Sequence, residues 1–444
     1  MPHQAHLLTA AMKKLLKEKI VMTWQIWFAC AVIVLVVIGL ARKMETRMLL
    51  LAGGLLMCAV SGDPMKAFTA FTKGMIHPTL VPSICTAMGF AAVISASKCD
   101  EHLVAMMAAP LKVLGGLLIP VTMLLTFGIN IAIMSAAGTA ACAGATFIPL
   151  LLRAGIRPAA AAASVGGGTM CGLMLNPGCA HDIYVAKISG MPLIDYIGHI
   201  AIYVVGLVVL ATVVNSAIML LKNKDHRMSA EEIASLKIEE KAQIRVNPLK
   251  AVAPLIPLAI LLVGQIFFPK ARIDVVFAML CGMAAVALIC WVNPGEVTKP
   301  FFKGMGQGFA SVIGLIVAAG VFVAGLHATG AIPAFIGALK SNPDFARWGG
   351  AIGPFLLAVG TGSGEAAIWA FNQAVTPSAA QFGMNPADLG TLAILAGQFG
   401  RTASPLAGCI IIVAGLAGAD PFQVAKRLLP GMVVALIAAA LIVV

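Results

Sequence analysis

Charged residues are scarce in this chain: Asp, Glu, Lys and Arg make up 11% of 444 residues, against 60% hydrophobic, and mean hydropathy is +0.98. A soluble globule cannot cover its surface with so few charges, so the solvent of most of the chain is lipid. The ten cysteines form no CxxC and no Cys/His cluster. A metal site and a disulfide framework are therefore not expected, and the thiols read as small apolar packing groups. HExxH and GxSxG are also missing, and no Ser/His pair occupies neighbouring span positions, which removes the machinery of a membrane-embedded hydrolase. No catalytic residue and no cofactor is expected. Basic residues outnumber acidic ones, 30 to 18. They lie in short breaks between apolar runs, with no stripe interleaved with aromatics, so nucleic acid is not an expected partner.

What the sequence has is apolar runs, one after another from Trp24 to Val444. A helical crossing takes about 20 residues for about 30 Å of hydrocarbon, and on that measure the chain makes about ten. The expected class is an all-α membrane protein, multi-pass, in the bacterial inner membrane. Residues 1–23 form an N-terminal tail whose Lys13, Lys14, Lys17 and Lys19 resemble the start of a signal peptide. The run that follows is too long for one and lacks a small-residue cleavage site, so Trp24 to Ala41 reads as an uncleaved first span. Met22 is an equally good start.

The same half occurs twice. Asp63-Pro64 and Phe71-Thr72-Lys73-Gly74-Met75 return 230 residues later as Asn293-Pro294 and Phe301-Phe302-Lys303-Gly304-Met305. Further on the offset is 228: Ser135 matches Ser363, Pro149 matches Pro377, Pro158 matches Pro386 and Pro177 matches Pro405. Residues 24–221 and 250–444 are thus two repeats, joined by a basic, cytoplasmic linker at 222–249 with a short surface helix near 230–240. Each repeat reads as two spans, an amphipathic stretch with the Lys-Gly-Met signature, a third span, a long apolar region broken midway, an interrupted span and a closing span.

The long regions, about 114–152 and 352–378, are broken by Ser135-Ala136-Ala137-Gly138-Thr139 and Thr361-Gly362-Ser363-Gly364-Glu365. Both read as re-entrant hairpins, because unwound backbone at membrane depth needs protein or a water-filled cavity to satisfy it. Five crossings per repeat make the two repeats inverted. With the linker inside, the basic breaks at Arg42, Arg47, Arg153, Arg157, Lys299, Lys303, Lys426 and Arg427 also fall inside.

Interrupted spans at about 157–188 and 386–416 follow the hairpins. Gly166, Gly167 and Pro177 in the first, and Gly397, Gly400 and Pro405 in the second, read as helix breaks. Half-helix ends offer free N–H groups and a positive dipole to a carboxylate. The substrate-binding candidates are Ser135, Gly138, Thr139, Gly168, Thr169, Asn176, Thr361, Ser363, Arg401, Thr402 and Ser404. Arg401 stands out, since a cation inside an apolar span must be paired or wetted and its fork fits a carboxylate; the bland alternative is an ion pair with Glu365 or Asp182. Glu365 and Asp182 are the candidates for proton or ion coupling, and His181 reads as a wetted end residue.

The runs Gly360 to Phe371, Asn385-Pro386-Ala387, Gly400-Arg401-Thr402-Ala403-Ser404-Pro405 and Ala419 to Arg427, with Gly155-Ile156, Asp182 and Met191 to Asp195 in the first repeat, resemble the anaerobic four-carbon dicarboxylate transporters of the DcuC family. The resemblance covers the chain after Trp24. It implies uptake, exchange or efflux of succinate, fumarate and related acids, a proton or sodium ion as coupling partner, alternating access, and a place in the ion-transporter superfamily, whose scaffold commonly forms a homodimer in lipid. Glu365 departs from the neutral amide expected at the second hairpin tip.

Overall fold

The computed structural model describes residues 24–40, 42, 44–108, 117–223, 225–226, 228–235, 245–268, 273–341 and 344–444. The tail at 1–23, the start of the first hairpin and the end of the expected linker helix, from 236 on, lie outside these residues.

The first repeat forms α1 (Trp24–Leu40), α2 (Thr46–Val60), α3 (Met65–Met75), α4 (Leu80–Ala96), α5 (Cys99–Met107), α6 (Leu118–Ala132), α7 (Ala136–Arg153), α8 (Pro158–Gly168), α9 (Ala180–Ile188) and α10 (Leu193–Ala217). A short α11 (Ala230–Ser235) lies in the linker. The second comprises α12 (Pro248–Val252), α13 (Ile256–Phe267), α14 (Val275–Cys290), α15 (Pro294–Gly308), α16 (Gly314–Ala328), α17 (Ala331–Ser341), α18 (Asp344–Thr361), α19 (Glu365–Ala374), α20 (Pro386–Thr402), α21 (Gly408–Ala417) and α22 (Pro421–Ile442). The described residues contain helices and no strands.

Local signals explain many of the helix starts. Ser135, Asn293, Asn385 and Asp420 accept a backbone N–H from the first turn of the helix each precedes, the usual role of such N-caps. Proline opens α8, α15, α20 and α22, where its missing N–H costs nothing. Among the described residues, five helices are long and apolar enough to cross a membrane, or six if the bent pair α3 and α4 is one span. Six other apolar helices are 10–17 residues long, so the expected count of about ten is not reached by length and hydropathy alone. Large apolar side chains face outward, including Trp27, Ile202 and Leu288 at 72%, 75% and 75% exposure, as befits a lipid solvent.

Two differences from expectation have clear causes. The amphipathic stretch and third span are separate in the first repeat, bent by 50° around Pro78, but run as one 35-residue helix, Pro294–Ala328, in the second. Gly308 stands there in place of a proline, so no ring clashes with the preceding turn and the helix continues through the π segment Phe309–Ile313. The second hairpin also starts earlier than 352, at Asp344.

Packing interlocks the halves. Helix α16 lies on α2 and α3, while α4 lies on α14 and α15. One core gathers α6 to α10 with α18 and α20 to α22; a second joins α1, α2, α4 and α16 to Trp369 of α19. Within the first core, α6 packs on α8 and α18 on α20, and α10 packs on α22.

Candidate functional site

The two hairpin turns each meet the break of an interrupted span. In the first, Ser135 is extended and its hydroxyl accepts the Gly138 N–H at 3.1 Å. Thr139 is fully buried, with its hydroxyl 3.2 Å from Asn130 Nδ2. The span break runs from Thr169 to Cys179, past a turn at Gly172–Leu175 and through Pro177. Asn176 spans the gap: its Nδ2 donates to Ile131 O at 2.7 Å and its Oδ1 accepts the Gly178 N–H at 2.8 Å.

In the second, the chain turns at Gly362, where φ is +76° and a Cβ would sit 2.5 Å from Leu406 O. Only glycine suits such a position. Thr361 lines this turn, its hydroxyl accepting the Ser363 N–H at 3.2 Å. The break covers Ala403 to Ala407 and includes Pro405. Here Ser404 spans the gap: its hydroxyl donates to Val359 O at 2.7 Å and accepts the Leu406 N–H at 3.2 Å. Ser404, Val359 and Leu406 each lie 228 positions after Asn176, Ile131 and Gly178. The two tethers thus join equivalent backbone groups with different side chains.

Cavities flank both turns. One of about 200 Å³ is lined by Ser135, Gly138 and Asn176 together with Asp100 and Ser95. The other, about 240 Å³, is lined by Thr361, Ser363 and Leu406 with Met44 and Thr46.

Arg401 lies between the two breaks, on the last turn of α20. Its Nη2–H donates to Thr169 O at 2.8 Å and to Gln398 Oε1 at 2.8 Å, its Nε–H donates to Gln398 Oε1 at 3.1 Å, and Nη1 lies 3.1 Å from Cys409 Sγ. The cation therefore meets the carbonyl end of α8, where the helix dipole favours it. It makes no ion pair with Glu365 or Asp182; its acceptors are neutral. Thr402 bonds back to Gln398 O, and Thr169 to Gly166 O, so both hydroxyls are spent inside their own helices.

Glu365 opens α19, and its Oε2 is 2.9 Å from Nε2 of His181 on α9. His181 is 3% exposed, with its ring 4.5 Å from that of Trp369. It is buried and bridged, contrary to the wetted end residue expected, because α9 starts inside the core. Asp182 is completely buried; neither oxygen accepts a hydrogen bond among the described residues, and the Cys179 thiol is the polar group beside it.

Four of the expected helix breaks need correction. Gly166 and Gly167 lie within α8, and Gly397 and Gly400 within α20; the chain leaves those helices only at Thr169 and Ala403. These glycines, with Gly168, serve close packing: a Cβ on Gly400 would collide with Phe355 O, and one on Gly168 with Thr126 and with Met123 O. Small residues let apolar helices approach in this way. Pro177 and Pro405 do lie in the breaks.

Asp100, Gln398 and Asn130 were not singled out from sequence. Gln398 carried a signal, a polar residue three before Arg401 on one helix face. Asp100 carried none, since Lys98-Cys99-Asp100-Glu101 looks like a charged surface turn.

The C4-dicarboxylate anaerobic carrier (DcuC) family model matches residues 64–444. A putative uncharacterized transporter of Haemophilus influenzae is 40% identical over 276 residues, 60% of this chain and 99% of its own length. The anaerobic C4-dicarboxylate transporter DcuC of Escherichia coli K12 is 27% identical over 385 residues, covering 80% of this chain and 79% of that one. Among solved structures, the crystal structure of the Alcanivorax borkumensis YdaH transporter, described as having an unusual topology, superposes with TM-score 0.58 at 16% identity, over 85% of this chain and 87% of that one, a likeness of fold. With its apolar helices and a family match over most of its length, this chain belongs to the DcuC family, as an inner-membrane multi-pass transporter and not an enzyme.

Proposed function

We propose that the chain is a secondary active transporter of four-carbon dicarboxylates of the succinate and fumarate type, working in exchange, uptake or efflux and coupled to a proton or sodium ion. The observation that carries this reading is the pair of equivalent tethers, Asn176 to Ile131 O and Ser404 to Val359 O, each of which ties a turn to a span break, with Arg401 reaching from beside the second break to Thr169 O at the first. Half-helix ends arranged in a matched pair suit a ligand with a carboxylate at each end.

In this reading residues 24–221 and 250–444 are inverted repeats around a cytoplasmic linker, each hairpin is re-entrant, and alternating access moves hairpins and interrupted spans against α2, α4, α14 and α16. Ser135, Gly138, Thr139, Asn176, Thr361, Ser363 and Ser404 bind substrate together with the backbone at Gly168, Thr169 and Thr402. Arg401 fixes the electrostatics of the centre, Glu365 and Asp182 couple to the ion, and the protein works as a homodimer. Glu365 favours a second reading, in which the same scaffold carries another small carboxylate or an amino acid whose ammonium meets that acid.

The test is uptake of labelled succinate into proteoliposomes, with and without an imposed pH gradient. Succinate flux competed by fumarate, and not by amino acids, is the expected result. Intact protein that carries an amino acid and leaves succinate outside would overturn the dicarboxylate assignment in favour of the second reading.

A further inference from the structure

We propose that His181 and Glu365 together are the site of the coupling proton, so that loading a substrate carboxylate beside them requires one proton to be taken up on the pair. The proposal rests on the transport reading above and adds the coupling ion and the group that holds it.

The geometry starts with two helix ends. His181 sits in the first turn of α9 and Glu365 is the first residue of α19, one following the span break of the first repeat and the other the hairpin turn of the second. Both ends present positive dipoles and free N–H groups, so the place where they meet favours an anion. In the structure the resident anion is Glu365 itself. A substrate carboxylate attracted to the same two ends faces a carboxylate already there, and two carboxylates sharing one site cannot both stay ionised cheaply. The proton comes from bulk solvent and remains on the pair until the substrate leaves.

The pair is built for sharing a proton. Nε2 and Oε2 are 2.9 Å apart, and the side-chain exposures are 4% for His181 and 43% for Glu365, so the imidazole is enclosed and the carboxylate is the more accessible partner. Trp369, one turn after Glu365, stacks on the imidazole, and Tyr184 meets the edge of Trp369 at 5.5 Å. This packing fixes the ring while Nδ1 has no partner among the described residues. Without the extra proton the imidazole donates from Nε2 to ionised Glu365 and leaves Nδ1 bare; with it Nδ1 carries an N–H that finds no acceptor among the described residues, a cost that returns the pair to its unprotonated form once the substrate leaves.

The groups that face the pair from the surrounding helices fit this assignment. Helix α20 contributes Arg401, within electrostatic reach of Glu365; α9 itself contributes Asp182, preceded by Cys179; α10 contributes Tyr196, whose hydroxyl is 2.7 Å from Thr391 Oγ1. From α4 comes Cys85. His327 of α16 lines a separate cavity with Asp63, Lys66 and Lys73, and Asp344 and Arg347 of α18 pair with each other at the start of that helix.

The experiment measures succinate affinity of detergent-purified protein as a function of pH above about pH 7, where the substrate's own carboxyls are ionised, alongside pH-gradient-driven uptake into proteoliposomes. For one linked proton, wild-type affinity falls about tenfold per pH unit. In Glu365→Gln the slope disappears, and Glu365→Asp restores it; His181→Gln, which cannot share a proton, flattens it as well. Thermal melting of each variant shows that it is folded, and Glu365→Asp supplies the slope measurement should the glutamine variant not fold. Wild-type protein that carries succinate with a pH slope unchanged in Glu365→Gln and His181→Gln overturns this assignment and leaves the transport reading standing. Wild-type protein that binds and carries no C4 acid brings down both.

Discussion

The contacts within each repeat and those between the repeats differ in kind. Inside a repeat, hairpin and span break are tied by neutral hydrogen bonds: Asn176 to Ile131 O in one, Ser404 to Val359 O in the other. Across the halves, beside neutral bonds such as Tyr196 to Thr391, charged side chains take part: Arg401 of the second reaches Thr169 O of the first, and His181 of the first meets Glu365 of the second. Neutral bonds inside the low-dielectric core hold shape at all pH values, whereas contacts made by ionisable groups respond to protons and to charged ligands. The tethers beside the turns thus hold shape within each half, while the Arg401 and His181 contacts, which can respond to charge, lie at the junction.

The strongest challenge to this division comes from the linker. Asp225, 1% exposed at its side chain, binds Arg427 of α22 through 2.8 and 2.9 Å bonds, a charged contact that is also a tie between segments. Breaking one member of such a buried pair costs about 3–5 kcal/mol, so Arg427→Ala is expected to lower the melting temperature in detergent more than any change at the tethers. Next in size, Arg401→Gln removes charge-assisted bonds worth about 1.5–3 kcal/mol each. Succinate flux should drop by about 100-fold with expression intact. Arg401→Lys should not restore it, because a point charge cannot reach Thr169 O and Gln398 at once. An active lysine variant would argue that only the charge matters.

The tethers should give the smallest effects. Asn176→Ala and Ser404→Ala each remove neutral bonds worth about 1 kcal/mol apiece. Melting should fall by similar amounts in the two repeats, and the pH profile of transport should keep its form. A pH profile altered by Ser404→Ala would break the separation of neutral from responsive contacts.

The membrane class, the all-helical composition and the family were legible in the sequence, because apolar run length and motif runs are local properties. Pro177 and Pro405 also marked the stretches between helices, since proline acts on its own turn, although the chain already leaves α8 at Thr169, well before Pro177. The glycines misled: Gly166, Gly167, Gly397 and Gly400 are compatible with either unwinding or close approach, and only the neighbouring Phe355, Met123 and Ile368 decide for the latter. His181 was misjudged for a related reason. Its partners Glu365 and Trp369 belong to the other repeat, and no spacing rule along the chain connects them.

The interlocking of α4 with α14 and α16 with α2, and the bridges at Arg401 and His181, bear on how the two halves divide the work. The positions 228 residues from Arg401, Glu365 and His181 hold Leu173, Ala137 and Cys409. Two copies of the second half would set two arginines and two glutamates at the centre with no imidazole, and two copies of the first would supply imidazoles without a guanidinium. The guanidinium and the carboxylate come from one half and the imidazole from the other, so neither half alone can assemble the centre.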